Sequence, residues 1–71
     1  LKVIYKGFEI DVRREKCLAG YPLLYFTVMR LSDGWFFQDG FYDSEDTVKD
    51  TIEGMKNLVD DYLENPEIYE D

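Results

Sequence analysis

Sixteen carboxylates, one thiol and no imidazole are the chemically reactive side chains of this 71-residue chain. Without histidine, the Ser-His-Asp and Cys-His arrangements that activate a nucleophile are excluded, as are the common His-containing zinc sites. Cys17 has no imidazole to activate it, so it reads as an ordinary half-buried or loop thiol. A single cysteine cannot form an internal disulfide and suits a reducing compartment. Carboxylates alone can hold calcium or magnesium, but no D-x-[DN]-x-[DN]-G loop occurs, and Asp33-Gly34 and Asp39-Gly40 fit turns better than ligand loops. Two carboxylates acting as acid and base need a sizeable cleft, and a two-layer domain of this length has little room for one. The expectation is a chain that is not an enzyme and takes no cofactor or metal.

Charge placement says more than the total of −8. Residues 1–42 carry six basic and five acidic side chains, whereas residues 43–71 carry two basic and eleven acidic ones. The whole imbalance therefore sits in the C-terminal part. Such a segment repels nucleic-acid phosphates and anionic membranes and attracts basic surfaces. No stretch approaches the roughly 20 apolar residues of a bilayer span, and no signal peptide is visible, so a cytoplasmic setting is expected.

The elements that position these side chains follow from hydrophobic spacing. Val3 and Tyr5, then Phe8, Ile10 and Val12, alternate with polar neighbours at period two, the strand pattern, and Lys6-Gly7 between them fits a two-residue hairpin turn. Leu23–Leu31 is a third strand rich in β-branched and aromatic residues. Asp33-Gly34 predicts a type I′ turn with φ > 0 at both positions. The returning strand runs through Trp35, Phe36, Phe37 and Gln38, and Asp39-Gly40 closes it; Phe41 and Tyr42 belong to a link or a last short extension. A helix follows, capped by Asp43 or Ser44, with Glu45 and Asp46 complementing its positive end. Val48, Ile52, Met55, Val59 and Tyr62 form its apolar stripe, widened by Leu58 and Leu63. Gly54 is a weak spot or a point of close approach to the sheet, and Asn65-Pro66 stops the helix. The predicted fold is α+β: a two-layer domain over residues 1–66 in which an antiparallel sheet of about four strands (two hairpins) is packed by one C-terminal helix, ββββα, with 67–71 an acidic tail.

One helix covers one face of a sheet, so the other face should be polar. The first hairpin obeys, with Glu9, Asp11 and Arg13 alternating against Phe8, Ile10 and Val12. The second does not: Leu23, Tyr25 and Met29 oppose Leu24, Phe26 and Val28, and Trp35 and Phe37 oppose Phe36. Tyr25, Phe26, Trp35, Phe36 and Phe37 are therefore candidates for an aromatic face that binds a partner or a second copy, unless sheet twist, the Leu18–Pro22 loop and Ile68-Tyr69 fold over it. On the helix, Asp46, Asp50, Glu53, Asp60, Asp61 and Glu64 form a candidate acidic face for a basic protein; Lys49 and Lys56 are its only cations.

The path from Leu24 through Asp-Gly to the helix opened by Asp43-Ser44-Glu45-Asp46-Thr47 resembles the strand–strand–helix part of HicB-type antitoxin domains. The likeness covers about half the chain, lacks that family's Pro-rich segment before the last strand, and assigns a role to no residue here. The expected function is a small protein-interaction or regulatory module with an acidic helix face and an aromatic sheet face. An inhibitor of a nucleic-acid-handling protein, of the phage or mobile-element kind, fits that chemistry. The alternatives are a HicB-like antitoxin-type domain, on the resemblance alone, and a sheet-face binder of single-stranded nucleic acid; the latter calls for a cationic surround, which six strand-region bases offset by five acids supply poorly.

Overall fold

The period-two segments become four antiparallel strands in the computed structural model, which describes residues 1–16, 18–20, 22–43 and 47–69. β1 (Lys2–Tyr5), β2 (Phe8–Lys16), β3 (Pro22–Arg30) and β4 (Phe36–Asp43) lie side by side in chain order. Helix α1 (Val48–Glu64) packs across β2, and a short α2 (Pro66–Tyr69) follows it. This is the expected α+β, ββββα arrangement. None of the described helices is long and apolar enough to cross a membrane.

The first hairpin turns as its sequence predicts. Lys6 and Gly7 both take positive φ, 49° and 84°, the pair a type I′ turn requires. The second hairpin differs from expectation. Its loop is longer than two residues: Arg30 N–H donates to the Trp35 carbonyl at 2.7 Å and Gly34 N–H to the Arg30 carbonyl at 2.8 Å. Only Gly34 takes positive φ, 75°. Asp33 is held otherwise, because its carboxylate accepts from Trp35 N–H at 3.1 Å and from the Arg30 guanidinium at 2.7 and 3.0 Å. These side-chain bonds give Asp33 an alternative to the left-handed conformation of the tight turn.

Of the two readings of Phe41 and Tyr42, the strand extension holds, since β4 runs to Asp43. Asp39-Gly40 does not close the strand; Asp39 pairs with Thr27, Gly40 with Phe26 and Phe41 with Tyr25. A Cβ placed on Gly40 would lie 3.4 Å from Cζ of Phe26, so the Phe26 ring lies over the bare glycine and supplies the packing its missing side chain cannot. A register shift between Val28 and Met29 lets Val28 pair with Gln38 and Met29 with Phe36, leaving Phe37 as the extra residue.

Thr47, rather than Asp43 or Ser44, caps α1. Its hydroxyl accepts from Asp50 N–H at 3.0 Å, while Asp43 ends β4 and Ser44, Glu45 and Asp46 lie outside the described residues. Ile52, Val59 and Tyr62 of the predicted stripe are buried and Val48 and Met55 half-buried, but Leu63 is exposed and does not widen it. A Cβ on Gly54 would meet nothing within 4 Å, so no close approach demands glycine there. The stripe closes on Phe8, Ile10 and Val12 of β2 and Leu24 and Val28 of β3 to form the core. Residues 67–69 are not a frayed tail: Tyr69 in α2 packs on Phe37 and Tyr62, with ring centroids 5.1 and 5.9 Å apart.

Candidate functional site

The register sorts the five candidate aromatic residues onto two faces. Phe26, Trp35 and Phe37 pack on the helix side against the core. Trp35 and Phe37 meet Tyr62 at 5.7 and 5.1 Å, and the Arg30 guanidinium, 4.8 Å from the Trp35 ring, donates to the Tyr62 hydroxyl at 3.0 Å. Trp35 meets Tyr62, and Phe37 meets both Tyr62 and Tyr69, so the two are half-buried members of the helix-side aromatic cluster. Tyr25 and Phe36 lie on the far face, as the alternation requires.

Residues paired across neighbouring strands share a face, so the far face can be read as rows. Ile4, Glu9, Met29 and Phe36 form the first row; Lys2, Asp11, Thr27 and Asp39 the second; Arg13, Tyr25 and Phe41 the third. Phe36 is 53% exposed, Phe41 62% and Ile4 65%. Tyr25 and Phe41 stack at 5.4 Å, with the Arg13 guanidinium 5.9 Å from the Tyr25 ring. Phe41 and Ile4 were not among the sequence candidates. Simple alternation would put Phe41 with Asp39 and opposite Phe36; the irregularity at Val28/Met29, which the sequence of β4 does not reveal, brings all three to one face. Leu18 and Ile68, expected as covers, are themselves exposed, so among the described residues this face is open.

The acidic candidates divide as well. Asp50, Glu53, Asp61 and Glu64 are exposed on the side of α1 away from the sheet, and the last turn holds no cation. Lys56 reaches Glu53 at 3.5 Å. Asp61 accepts a hydrogen bond from the Tyr69 hydroxyl, which raises the tyrosine's pKa. Asp60 is different. It accepts from Lys6 at 2.7 Å and from Tyr5 at 2.9 Å, tying α1 to the first hairpin, and the lysine contact first and then the tyrosine hold its carboxyl below the usual range. Asp60 is a fastener between layers, and Asp46 lies outside the described residues.

Between the two hairpin turns and the end of α1 is an open cleft of about 450 Å³, floored by Phe8 and walled by Leu31, Leu63 and Pro66. The cations at its rim are engaged within the chain, Lys6 by Asp60 and Arg30 by Asp33, each at 2.7 Å. Among the described residues no three acidic or thiol side chains cluster as a metal site. No protein-family model, curated protein or solved structure matches the chain.

The Arg30–Asp33 pair has a consequence for acid stability. Its hydrogen bonds from Arg30, and then from Trp35 N–H, lower the Asp33 pKa from 3.8 to about 2. A carboxylate whose folded value lies below its unfolded value stabilises the fold above the unfolded value and loses that contribution as pH falls through the folded one. The loss is expected between about pH 4 and pH 2, with Asp60 acting in the same direction. Urea midpoints measured across that window should fall less steeply for Asp33→Asn than for the parent chain. Identical slopes would remove Asp33 as a contributor.

Proposed function

We propose that this chain is a non-catalytic protein-interaction module with two unlike surfaces on opposite sides of a two-layer fold. The outer side of α1 engages a positively charged protein, and the open sheet face engages a protein through aromatic and apolar contact. The observation that carries the first part is the exposed set Asp50, Glu53, Asp61 and Glu64 with no cation in the last helical turn. Of these, Asp61 and Glu64 lie at the helix C-terminus and oppose the macrodipole, at about 0.3–1 kcal/mol each, although Asp61 also accepts from the Tyr69 hydroxyl. A mixed-charge face would keep the chain in solution equally well. What the acids add is a directed negative field, which speeds encounter with a basic surface.

Nucleic acid is the less favoured ligand for the sheet face. Glu9, Asp11, Glu15 and Asp39 share that face with Lys2 and Arg13 alone among described bases, so the stacking aromatics sit in a net negative surround.

The test is affinity capture from extract of the native cells, followed by titration of whichever basic protein is retained. Replacing Asp50 and Asp61 by asparagine and Glu53 and Glu64 by glutamine is expected to weaken that binding at least about tenfold and flatten its salt dependence, while leaving the chain folded. Unchanged affinity would reduce the acidic face to a solubility device. Salt-sensitive binding of labelled single-stranded DNA or RNA, lost on changing Lys2 and Arg13 to glutamine, would replace the proposal with the nucleic-acid reading.

A further inference from the structure

The open sheet face combines exposed apolar area with one pair of opposite charges, Lys2 and Asp39, on its two edge strands. Phe36, Phe41 and Ile4, at 53%, 62% and 65% exposure, present on the order of 350 Å² between them, taking roughly 200 Å² for a large side chain. Summed over the face, that is close to half of the roughly 800 Å² each partner contributes to a standard interface.

We propose that this face is covered by the same face of a second copy, the two sheets packing about a two-fold axis parallel to the strands and midway between β2 and β3. Such an axis exchanges β1 with β4 and β2 with β3 while keeping each row at its own level. Ile4 then faces Phe36 of the second copy, and Lys2 faces Asp39 of the second copy. Arg13 faces Tyr25, extending to the other copy a cation–π contact it already makes at 5.9 Å within its own chain. Aligned packing of two sheets at about 10 Å brings long side chains such as lysine within reach of the opposite sheet.

Electrostatics favours this pairing over any that uses the helices. The excess negative charge lies in residues 43–71, and stacking the sheets places the two acidic helices on opposite outer sides of the dimer. Pairing through α1 would set Asp50, Glu53 and Glu64 against their own copies. Sheet-to-sheet association also leaves both acidic surfaces free, so the dimer would offer a basic partner two equal sites.

The inference rests on the proposal that the sheet face is an interface and adds the identity of its occupant. Sedimentation equilibrium of the 71-residue chain from micromolar to millimolar concentration tests it. A monomer–dimer equilibrium is expected. Phe36→Asp should raise the dimer dissociation constant at least about tenfold with an unchanged far-ultraviolet circular dichroism spectrum, since Phe36 is already 53% exposed. Asp39→Lys should weaken the dimer as well, and adding Lys2→Glu to it should recover most of the loss. Lys2 and Asp39 occupy opposite edge strands of one sheet, so recovery requires contact between copies. A monomer at every concentration, a dimer indifferent to Phe36→Asp, or no recovery in the double variant overturns the inference. A monomer that captures a different protein, and loses it on Phe36→Asp, keeps the interface and removes the second copy as its occupant. A monomer whose captures ignore Phe36→Asp removes both.

Discussion

Tyr62→Ala is expected to cost about 3–5 kcal/mol and to lower the urea midpoint sharply. A domain of this length has on the order of 4–10 kcal/mol of total stability, so a loss of that size removes a large part of it. Tyr62 is 5% exposed and its ring meets four others: Phe8 at 5.9 Å, Trp35 at 5.7 Å, Phe37 at 5.1 Å and Tyr69 at 5.9 Å. Removing it opens a cavity where the helix end, the second hairpin and α2 converge. Tyr62→Phe keeps the ring and loses the hydroxyl that accepts from Arg30, at a cost of about 1–2 kcal/mol. Urea denaturation followed by Trp35 fluorescence separates the two, because the indole touches the same ring. Equal, small effects of both variants would mean that the aromatic cluster does not hold the layers together.

Leu24→Ala and Leu23→Ala are expected to differ several-fold although they are neighbours. Leu24 is fully buried between the sheet and α1. Its truncation should cost about 2–5 kcal/mol, the range for a leucine lost from a packed core. Leu23 is half-buried on the far face, and its truncation should cost under about 1 kcal/mol in the isolated chain. The ratio reads the strand alternation directly: if Leu23 were the costlier residue, the helix would lie on the other face. Urea midpoints for the two variants, at matched slope, give the comparison.

That alternation was legible in the sequence, and so was most of the architecture. Period two gave the two sets on β3, and the spacing of Val48, Ile52, Met55, Val59 and Tyr62 gave the helix and its buried stripe. Periodicity alone cannot say which set meets the helix, because Tyr25 and Phe26 are equally apolar. Phe37 stays beside Trp35 on the helix side through the irregularity at Val28/Met29, a feature of pairing between strands that one strand's sequence does not carry. Phe41 was hidden by Asp39-Gly40, a dipeptide that usually turns but here runs on in β4 under the ring of Phe26. Asp60 looked like its acidic neighbours on α1. Its distinct role depends on Tyr5 and Lys6, more than fifty residues earlier in the chain, meeting it across the layers.

The same physics explains why one face of the sheet is left open. Thr47, Lys6–Asp60 and Arg30–Asp33 secure the helix and turns, and Tyr69 closes the aromatic cluster on the helix side. Nothing comparable among the described residues closes over Ile4, Phe36 and Phe41. A side chain left in water on a strand loses the transfer free energy that its burial would contribute, about 1.5–3 kcal/mol for one this large, and association recovers part of it.

Oxidative side-chain footprinting, compared between dilute and concentrated protein, reads that surface most directly. Reactivity at Met29, Phe36 and Phe41 should fall together on concentration, while Leu63 and Ile68, exposed elsewhere, keep theirs. Unaltered labelling of Phe36 and Phe41, or a loss confined to α1, would contradict the claim that the outer sheet is where this chain meets its own kind.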